Sequence, residues 1–203
     1  MKILGIIGGM SPESTATYYT EINRLVNQKK GGNISAPIVM VSVEFEEIVQ
    51  CQKQSEWQRA GEILAEAGKK LEMIGAEGIV LATNTMHKVA PQIEQAISIP
   101  FLHILDATAD AIKSRGLNKV ALLGTKFTMS DNFYRDGLIV RGITPIVPNE
   151  DTQNEIHRII FDELCVGKFL PQSKAFYLKI IDELKNQGAE GVILGCTEIG
   201  LLV

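Results

Sequence analysis

One eleven-residue pattern occurs twice in this chain and limits the folds available to it: residues 75–85 read GAEGIVLATNT and residues 188–198 read GAEGVILGCTE. Each copy follows an amphipathic segment and begins with a glycine suited to a helix C-cap. Each then continues as a short aliphatic strand that ends in small polar residues. The strands that end at residues 6–8 and 122–124 form a second matching pair. The duplication predicts two similar lobes, at residues 1–105 and 106–203.

The polar ends of the two copies are where we expect the chemistry. Ligands of open parallel sheets bind outside the carboxyl ends of the strands. We therefore expect strand-end loops from both lobes to face one cleft between them. Superposing the copies pairs three residues of each: Thr83 with Cys196, Asn84 with Thr197, and Thr85 with Glu198.

Strands and helices alternate with short connections, which predicts an α/β fold with mainly parallel sheets flanked by helices. Four local predictions bear on the site: a helix begun by Ser11 and Pro12, a helix over residues 86–96 capped by Asn84 and Thr85, a loop over residues 125–128, and a capping box of Thr152 and Glu155.

The two lobes are unequal at their ends. A predicted helix and strand, residues 86–104, follow the first copy of the repeat, whereas five residues follow the second. The duplication therefore predicts that the second lobe lacks its last helix and strand, either because the chain is truncated or because that lobe is abbreviated.

Composition excludes several classes of protein. A net charge of −4 gives no reason to expect a nucleic-acid partner. No apolar run approaches transmembrane length, and the run at residues 3–8 predicts a buried first strand rather than a signal peptide. The three cysteines include no CxxC pair, which favours reduced thiols in the cytoplasm. The three histidines lack metal-ligand spacing, so we expect no metal.

Cys196 is the strongest candidate nucleophile or base. It follows a strand and precedes a predicted helix, whose amide groups and dipole would lower the pKa of its thiol. The alternative is an inert cysteine that packs as a small hydrophobic residue. Cys165 lies on a predicted helix among apolar residues, which predicts core packing, and Cys51 falls in a predicted loop.

Four further features are candidates for a functional role. Thr83 by itself is typical of a strand-end hydroxyl or a helix cap. His87, four residues later, lies near the predicted site or is a hydrogen-bonded structural group. Residues 8–10, Gly-Gly-Met, offer amides to an anion, but they do not form the GxGxxG pattern of a dinucleotide site. Lys126 and Lys168 are candidates for holding a carboxylate or are simply solvated.

Four motifs together resemble those of the cofactor-independent aspartate/glutamate racemases: Gly-Gly-Met at 8–10, Thr-Asn-Thr-Met-His at 83–87, Leu-Gly-Thr at 123–125 followed by Phe-Thr-Met at 127–129, and Gly-Cys-Thr-Glu-Ile at 195–199. The resemblance runs from residue 2 to the last residue. It implies two pseudo-symmetric α/β lobes with the active site between them, a small amino-acid substrate, no cofactor, and a homodimer.

The resemblance also implies a mechanism. Racemisation needs a base on one face of Cα and an acid on the other. Most members of the family use two cysteines, at the positions of Thr83 and Cys196. The threonine departs from that pattern and resembles a subgroup of L-preferring aspartate/glutamate racemases. By this resemblance Cys196 abstracts the proton from the L-substrate and Thr83 protonates the other face.

Substrate-binding roles follow from the same resemblance. The α-carboxylate and ammonium would be held by the amides near Met10 and by Asn84, Thr85 and Thr197. The side-chain carboxylate would be held by Gln52, Thr125 and Lys168. Two other functions remain open: a diacid decarboxylase or cis-trans isomerase with the same cleft, and an amino-acid-binding protein in which loss of the first cysteine ended turnover.

Overall fold

The structure is a computed structural model that describes residues 1–203, and it divides into two compact units, Met1–Ile104 and Leu105–Val203. Each unit contains a parallel sheet with helices packed against it. The α/β fold class predicted from the alternation of strands and helices is therefore confirmed.

The first unit is a four-stranded parallel sheet in the order β2-β1-β3-β4. Its elements are β1 (Leu4–Gly8), α1 (Pro12–Lys30), β2 (Ile38–Ser42), α2 (Phe45–Lys53), α3 (Trp57–Met73), β3 (Ile79–Leu81), a 3-10 helix (Thr85–Val89), α4 (Ala90–Ala96) and β4 (Phe101–Leu102).

The second unit is a three-stranded parallel sheet in the order β6-β5-β7. Its strand β7 pairs only with β5, whereas β3 of the first unit pairs with both β1 and β4. Its elements are α5 (Ile104–Lys113), β5 (Lys119–Leu123), α6 (Lys126–Ser130), α7 (Asn132–Val140), β6 (Thr144–Ile146), α8 (Glu150–Asp162), a 3-10 helix (Leu164–Val166), α9 (Pro171–Asn186), β7 (Gly191–Leu194) and α10 (Ile199–Leu202).

The repeated segment makes the same hydrogen bonds in each unit. Gly75 and Gly188 both have a positive φ, of 94° and 95°, and each ends the helix that precedes its strand. The carboxylate two residues later accepts a hydrogen bond from a backbone N–H at the start of the central strand. Glu77 accepts from Ile3 at 2.9 Å, and Glu190 accepts from Lys119 at 3.1 Å. The duplication seen in the sequence is therefore a duplication of main-chain geometry.

Helix α1 begins where its sequence predicts. The Ser11 side chain accepts the backbone N–H of Ser14 at 3.2 Å, and Pro12 occupies the first helical position, where its missing N–H costs nothing. This cap fixes the start of α1 directly after the loop that leaves β1.

The prediction of a single helix over residues 86–96 is wrong, because the structure divides this segment into two helices. A 3-10 helix over Thr85–Val89 precedes α4, and Asn84 makes no capping hydrogen bond through its side chain. Pro91 has no N–H to give to the carbonyl of His87, and its ring would crowd that oxygen. The N–H of Ala90 bonds the His87 carbonyl instead, which closes a tighter turn.

Two other local predictions are also wrong. Residues 125–128 are not a loop, since Thr125 caps the short helix α6 by accepting the N–H of Thr128 at 3.3 Å. Helix α8 is capped by Asn149, whose side chain accepts the N–H of Thr152 at 2.9 Å. Thr152 therefore lies in the first turn rather than at the cap.

The end of β1 and the loop that follows it approach their neighbours too closely for a side chain at two positions. A Cβ at Gly8 would overlap the methyl group of Thr15, and a Cβ at Gly9 would overlap the carbonyl oxygen of Val43. Gly9 also has a φ of 95°. Both glycines are therefore required by packing of the loop that leads to Met10.

We predict that Gly8→Ala lowers the free energy of unfolding by about 1–3 kcal/mol, the usual cost of overpacking a core. Thr15→Ser removes the methyl group that the new Cβ would meet but keeps the hydroxyl. The cost of Gly8→Ala should therefore be smaller in the Thr15→Ser background. Urea unfolding of the four proteins measures this difference, and equal costs in both backgrounds would contradict the steric explanation.

Candidate functional site

In the first unit, the candidate residues follow two neighbouring strands at the same edge of the sheet. Strands β1 and β3 are paired, and beyond the ladder the N–H of Ala82 donates to the carbonyl of Ile7 at 2.9 Å. The Ser14 hydroxyl, at the start of α1, donates to the Ala82 carbonyl at 3.2 Å. The loop after β1 and the residue before Thr83 are thereby held together.

Thr83, Asn84 and Thr85 are half-buried at this edge. Helix α2 reaches the same place, because the Gln52 amide donates to the Met86 sulfur at 3.0 Å. The structure therefore brings together the residues of this unit that the sequence predicted as a site: Met10, Gln52, Thr83, Asn84 and Thr85.

The amides of the β1–α1 loop are less available to a ligand than the sequence suggested. The Gly9 N–H donates to the Thr15 hydroxyl at 2.8 Å, and Gly9 is buried. Met10 is 6% exposed, and its side chain packs in the core of the unit. The contribution of Met10 to a site is therefore limited to its backbone.

His87 is a buried, hydrogen-bonded group. Its Nδ1 lies 2.9 Å from the Thr83 carbonyl, and its Nε2 lies 3.2 Å from the backbone nitrogen of Ile104. Burial, together with the neighbouring His103, lowers the pKa of His87 to about 3. The ring is therefore neutral near pH 7, with Nδ1 as the donor and Nε2 as the acceptor.

In the second unit, the candidate residues again follow paired strands. Beyond the β5–β7 ladder, the N–H of Gly195 donates to the carbonyl of Leu123 at 2.6 Å. Cys196 follows Gly195 directly and Thr125 comes two residues after Leu123, so both lie at the carboxyl edge of the sheet. Thr125 is 9% exposed, and its hydroxyl oxygen caps α6.

The Cys196 thiol is hydrogen-bonded to a carboxylate that the sequence did not indicate as a candidate site residue. Its Sγ–H donates to Oε2 of Glu198 at 2.9 Å, and the Thr197 hydroxyl donates to the same oxygen at 2.7 Å. The available signal was the position of Glu198 in the repeat, two residues after Cys196 and opposite Thr85. Cys196, Thr197 and Glu198 form one hydrogen-bonded group.

The pKa of the Cys196 thiol is raised, so the predicted lowering of that pKa is wrong. Burial is the largest cause, and the negative charge of Glu198 is the next. The helix that follows, α10, spans only Ile199–Leu202 and supplies too little dipole to offset these effects. Cys196 is therefore a neutral thiol at rest, with a proton acceptor already in contact.

Lys168 lies on a segment whose backbone is held by a hydrogen bond to Glu163. Its N–H donates to the Glu163 carbonyl at 2.8 Å, and its side chain is exposed. The Glu163 carboxylate is buried and accepts hydrogen bonds from Arg158, at 2.9 Å, and from the Ser173 hydroxyl. The backbone of the segment is therefore ordered, while the Lys168 ammonium stays accessible.

The two other cysteines do not lie where the sequence predicted. Cys165 is exposed on a 3-10 helix, so the prediction that it packs in the core is wrong. It is close enough to Cys196 that its charged form raises the pKa of that thiol. Cys51 is on helix α2, not in a loop, and packs in the core of the first unit with 3% exposure.

The structure was also compared with the requirements of a metal site and of a membrane span. No group of three or more His, Cys, Asp and Glu side chains is arranged to hold a metal ion. None of the helices combines the length and the apolar character needed to span a bilayer.

Comparisons with known proteins point in one direction. A family model described as Asp/Glu/Hydantoin racemase matches residues 7–203. A provisionally assigned Asp/Glu racemase from Yersinia pestis is 50% identical, with a TM-score of 0.96 over 100% of this chain and 89% of that chain. An aspartate racemase homologue from Pyrococcus horikoshii OT3 is 38% identical, with a TM-score of 0.87 over 100% of this chain and 88% of that chain.

A more distant relative is also named as an amino-acid racemase. The broad specificity amino-acid racemase RacX of Bacillus subtilis (strain 168) is 23% identical over 203 residues, which are 99% of this chain and 87% of the relative. The similarity therefore extends over both units.

The contact between Cys196 and Glu198 predicts slow alkylation of Cys196. At a fixed pH near neutrality, iodoacetamide should label exposed Cys165 first, because thiolate is the reactive form and burial and charge suppress it at Cys196. Glu198→Gln removes that charge and should speed labelling of Cys196 several-fold. Peptide mass spectrometry measures the rates, with Glu190→Gln, at the other end of β7, as the matched control. An unchanged rate in Glu198→Gln would contradict this electrostatic explanation.

The lowered pKa of His87 predicts a loss of stability in acid. The unfolded state takes up a proton near pH 6.5, whereas folded His87 does so only near pH 3, so the unfolded state binds more protons between these values. The free energy of unfolding should fall there by up to about 1.4 kcal/mol per pH unit. Urea unfolding between about pH 5 and 7 measures this slope.

In this titration His87→Gln should show a shallower slope than the wild type. His157, whose pKa is lowered in the same direction by burial, contributes equally to both proteins. Equal slopes would show that His87 is not held neutral by the fold.

Proposed function

Because this chain belongs to the Asp/Glu/hydantoin racemase family, we propose that it racemises an acidic amino acid, aspartate or glutamate, by proton transfer at Cα without pyridoxal phosphate. The observation that carries the proposal is the Cys196 thiol at the carboxyl end of β7 with its proton directed at the Glu198 carboxylate. The racemase names of the relatives support the reaction class.

In the proposed reaction of the L-substrate, Glu198 prepares the base. The thiol proton of Cys196 passes to the Glu198 carboxylate, and the resulting thiolate removes the Cα proton. The Cα–H bond breaks, an S–H bond forms, and the electron pair stays on the substrate as a carbanion. The raised pKa makes the thiolate a strong base once it forms.

Thr83 completes the reaction on the opposite face. Its hydroxyl gives a proton to the carbanion, so an O–H bond breaks and the new Cα–H bond forms with inverted configuration. The Thr83 oxygen then regains a proton from water, and Glu198 releases the proton that it took. The enzyme returns to its starting protonation state.

Thr83 and Cys196 differ in base strength, so the rates of the L-to-D and D-to-L reactions differ. A threonine hydroxyl is a far weaker base than a thiolate, so removal of the proton from the D-substrate is slow. The equilibrium constant between free enantiomers is one, so the difference appears in kcat and KM separately and cancels in the ratio of kcat/KM values.

Substrate binding is assigned within the same proposal. The Met10 backbone, Asn84, Thr85 and Thr197 hold the ammonium and α-carboxylate and stabilise the developing carbanion charge. Gln52, Thr125 and Lys168 hold the side-chain carboxylate. The exposed ammonium of Lys168 on an ordered backbone is consistent with this role.

The proposal includes two expectations about the state of the protein: it works in the cytoplasm and it is a homodimer. Analytical ultracentrifugation tests the second directly. The absence of a cofactor requirement is tested by activity that survives treatment with hydroxylamine, which captures pyridoxal phosphate.

We predict that Cys196→Ala lowers the rate of racemisation of the preferred substrate by about 10²–10⁴-fold, the usual contribution of a positioned acid or base. L- and D-aspartate and L- and D-glutamate are each incubated with the protein, and chiral chromatography follows the opposite enantiomer. Cys165→Ala is the matched control, because it removes a thiol in the same unit without removing the proposed base.

Two results would count against the proposal. Full activity in Cys196→Ala would exclude that thiol as the base. Binding of the four amino acids without turnover in the wild type would indicate an amino-acid-binding protein.

A further inference from the structure

We propose that His87 is the positioning residue for the Thr83 side of the reaction and exchanges no proton with the substrate. This inference rests on the proposed function. It assigns a task to a buried imidazole that the proton-transfer steps do not use.

Both ring nitrogens of His87 are already engaged. Nδ1–H donates to the Thr83 carbonyl at 2.9 Å, and Nε2 accepts the N–H of Ile104 at 3.2 Å. A neutral imidazole has one donor and one acceptor. The two contacts therefore use its full capacity and leave neither a proton nor a lone pair for a substrate.

The imidazole extends the β3–β4 pairing beyond its last main-chain partners. The register of β3 and β4 ends with Val80 opposite Leu102. Two to three residues further on, His87 bridges the Thr83 carbonyl and the Ile104 amide. The strand end that carries Thr83 is thereby held to Ile104, the last residue of the first unit.

The ring itself is held rigidly. His87 is 3% exposed, and its ring centroid lies 4.8 Å from that of His103 and 5.7 Å from that of Phe101. An imidazole enclosed in this way cannot turn without breaking both hydrogen bonds. The position of the Thr83 backbone is fixed as a result.

Fixing this backbone also limits where the hydroxyl points. Threonine is β-branched and has few side-chain rotamers, so its backbone position largely decides the direction of Oγ1. A displacement of about 1 Å at a reacting group costs on the order of 10²-fold in rate. Loss of the His87 bridge should therefore impair proton delivery by Thr83.

Removal of the Cα proton from the L-substrate should be affected far less. That step is assigned to Cys196 and Glu198, whose hydrogen bonds lie within the second unit and do not involve His87. The ratio of inversion to exchange at Cα therefore reports on the Thr83 side alone. It does not depend on how much of the protein is folded, since both rates scale with the folded fraction.

The experiment uses L-aspartate and L-glutamate in deuterated buffer. Loss of the Cα proton signal in NMR gives the exchange rate, and chiral chromatography gives the inversion rate. We expect His87→Leu, which removes both hydrogen bonds, to lower the ratio of inversion to exchange by about tenfold or more.

Two further variants separate the two hydrogen bonds. His87→Asn places an amide near the position of Nδ1 and keeps a donor for the Thr83 carbonyl, so the ratio should stay near that of the wild type. His87→Gln places an oxygen near the position of Nε2 and keeps only the contact to Ile104, so the ratio should fall. These two variants also decide the question if His87→Leu does not fold.

A destabilised control separates positioning from loss of structure. Ile93→Val shortens a fully buried side chain on α4 without touching the His87 contacts. It should reduce both rates together and leave the ratio unchanged.

Three results would overturn the inference in distinguishable ways. A wild-type ratio in His87→Leu and His87→Gln would show that the imidazole only supports folding. A ratio as low in His87→Asn as in His87→Gln would show that the imidazole delivers the proton itself. Absence of exchange in the wild type would remove the proposed function and this inference with it.

Discussion

One main-chain hydrogen bond, made once in each unit, determines where the candidate residues lie. The N–H of Ala82 donates to the carbonyl of Ile7 in the first unit, and the N–H of Gly195 donates to the carbonyl of Leu123 in the second. Each hydrogen bond joins the central strand of its sheet to a neighbouring strand, at the carboxyl ends of both. The residues that follow are Thr83 and Cys196, so the same backbone device presents a hydroxyl in one unit and a thiol in the other.

The surroundings of these two residues differ although their backbones are alike. Thr83 is held through its carbonyl by a neutral imidazole, which carries no charge to the site. Cys196 is held through its side chain by the Glu198 carboxylate, which is a proton acceptor. The proposed reaction requires such a difference, since in it the thiol loses its proton before it acts and the hydroxyl keeps its proton until it acts.

The features predictable from the sequence are those set by local chemistry. The repeat, the parallel strands and the start of α1 at Ser11 depend on glycine, proline and aliphatic periodicity within a few residues. The raised pKa of Cys196 was not predictable in this way, because it depends on burial and on the direction of the Glu198 side chain. Likewise, the role proposed for His87 depends on its contact with Ile104, which is 17 residues away in sequence.

The proposal that Cys196 and Thr83 act on opposite faces of one Cα can be tested with Thr83→Ala in deuterated buffer. The variant keeps the base for the L-substrate and lacks the acid for the other face. We expect the L-substrate to exchange its Cα proton at close to the wild-type rate and to be recovered with its configuration retained. Formation of the D-enantiomer at the wild-type rate would exclude Thr83 as the acid, because some other group would then deliver the second proton.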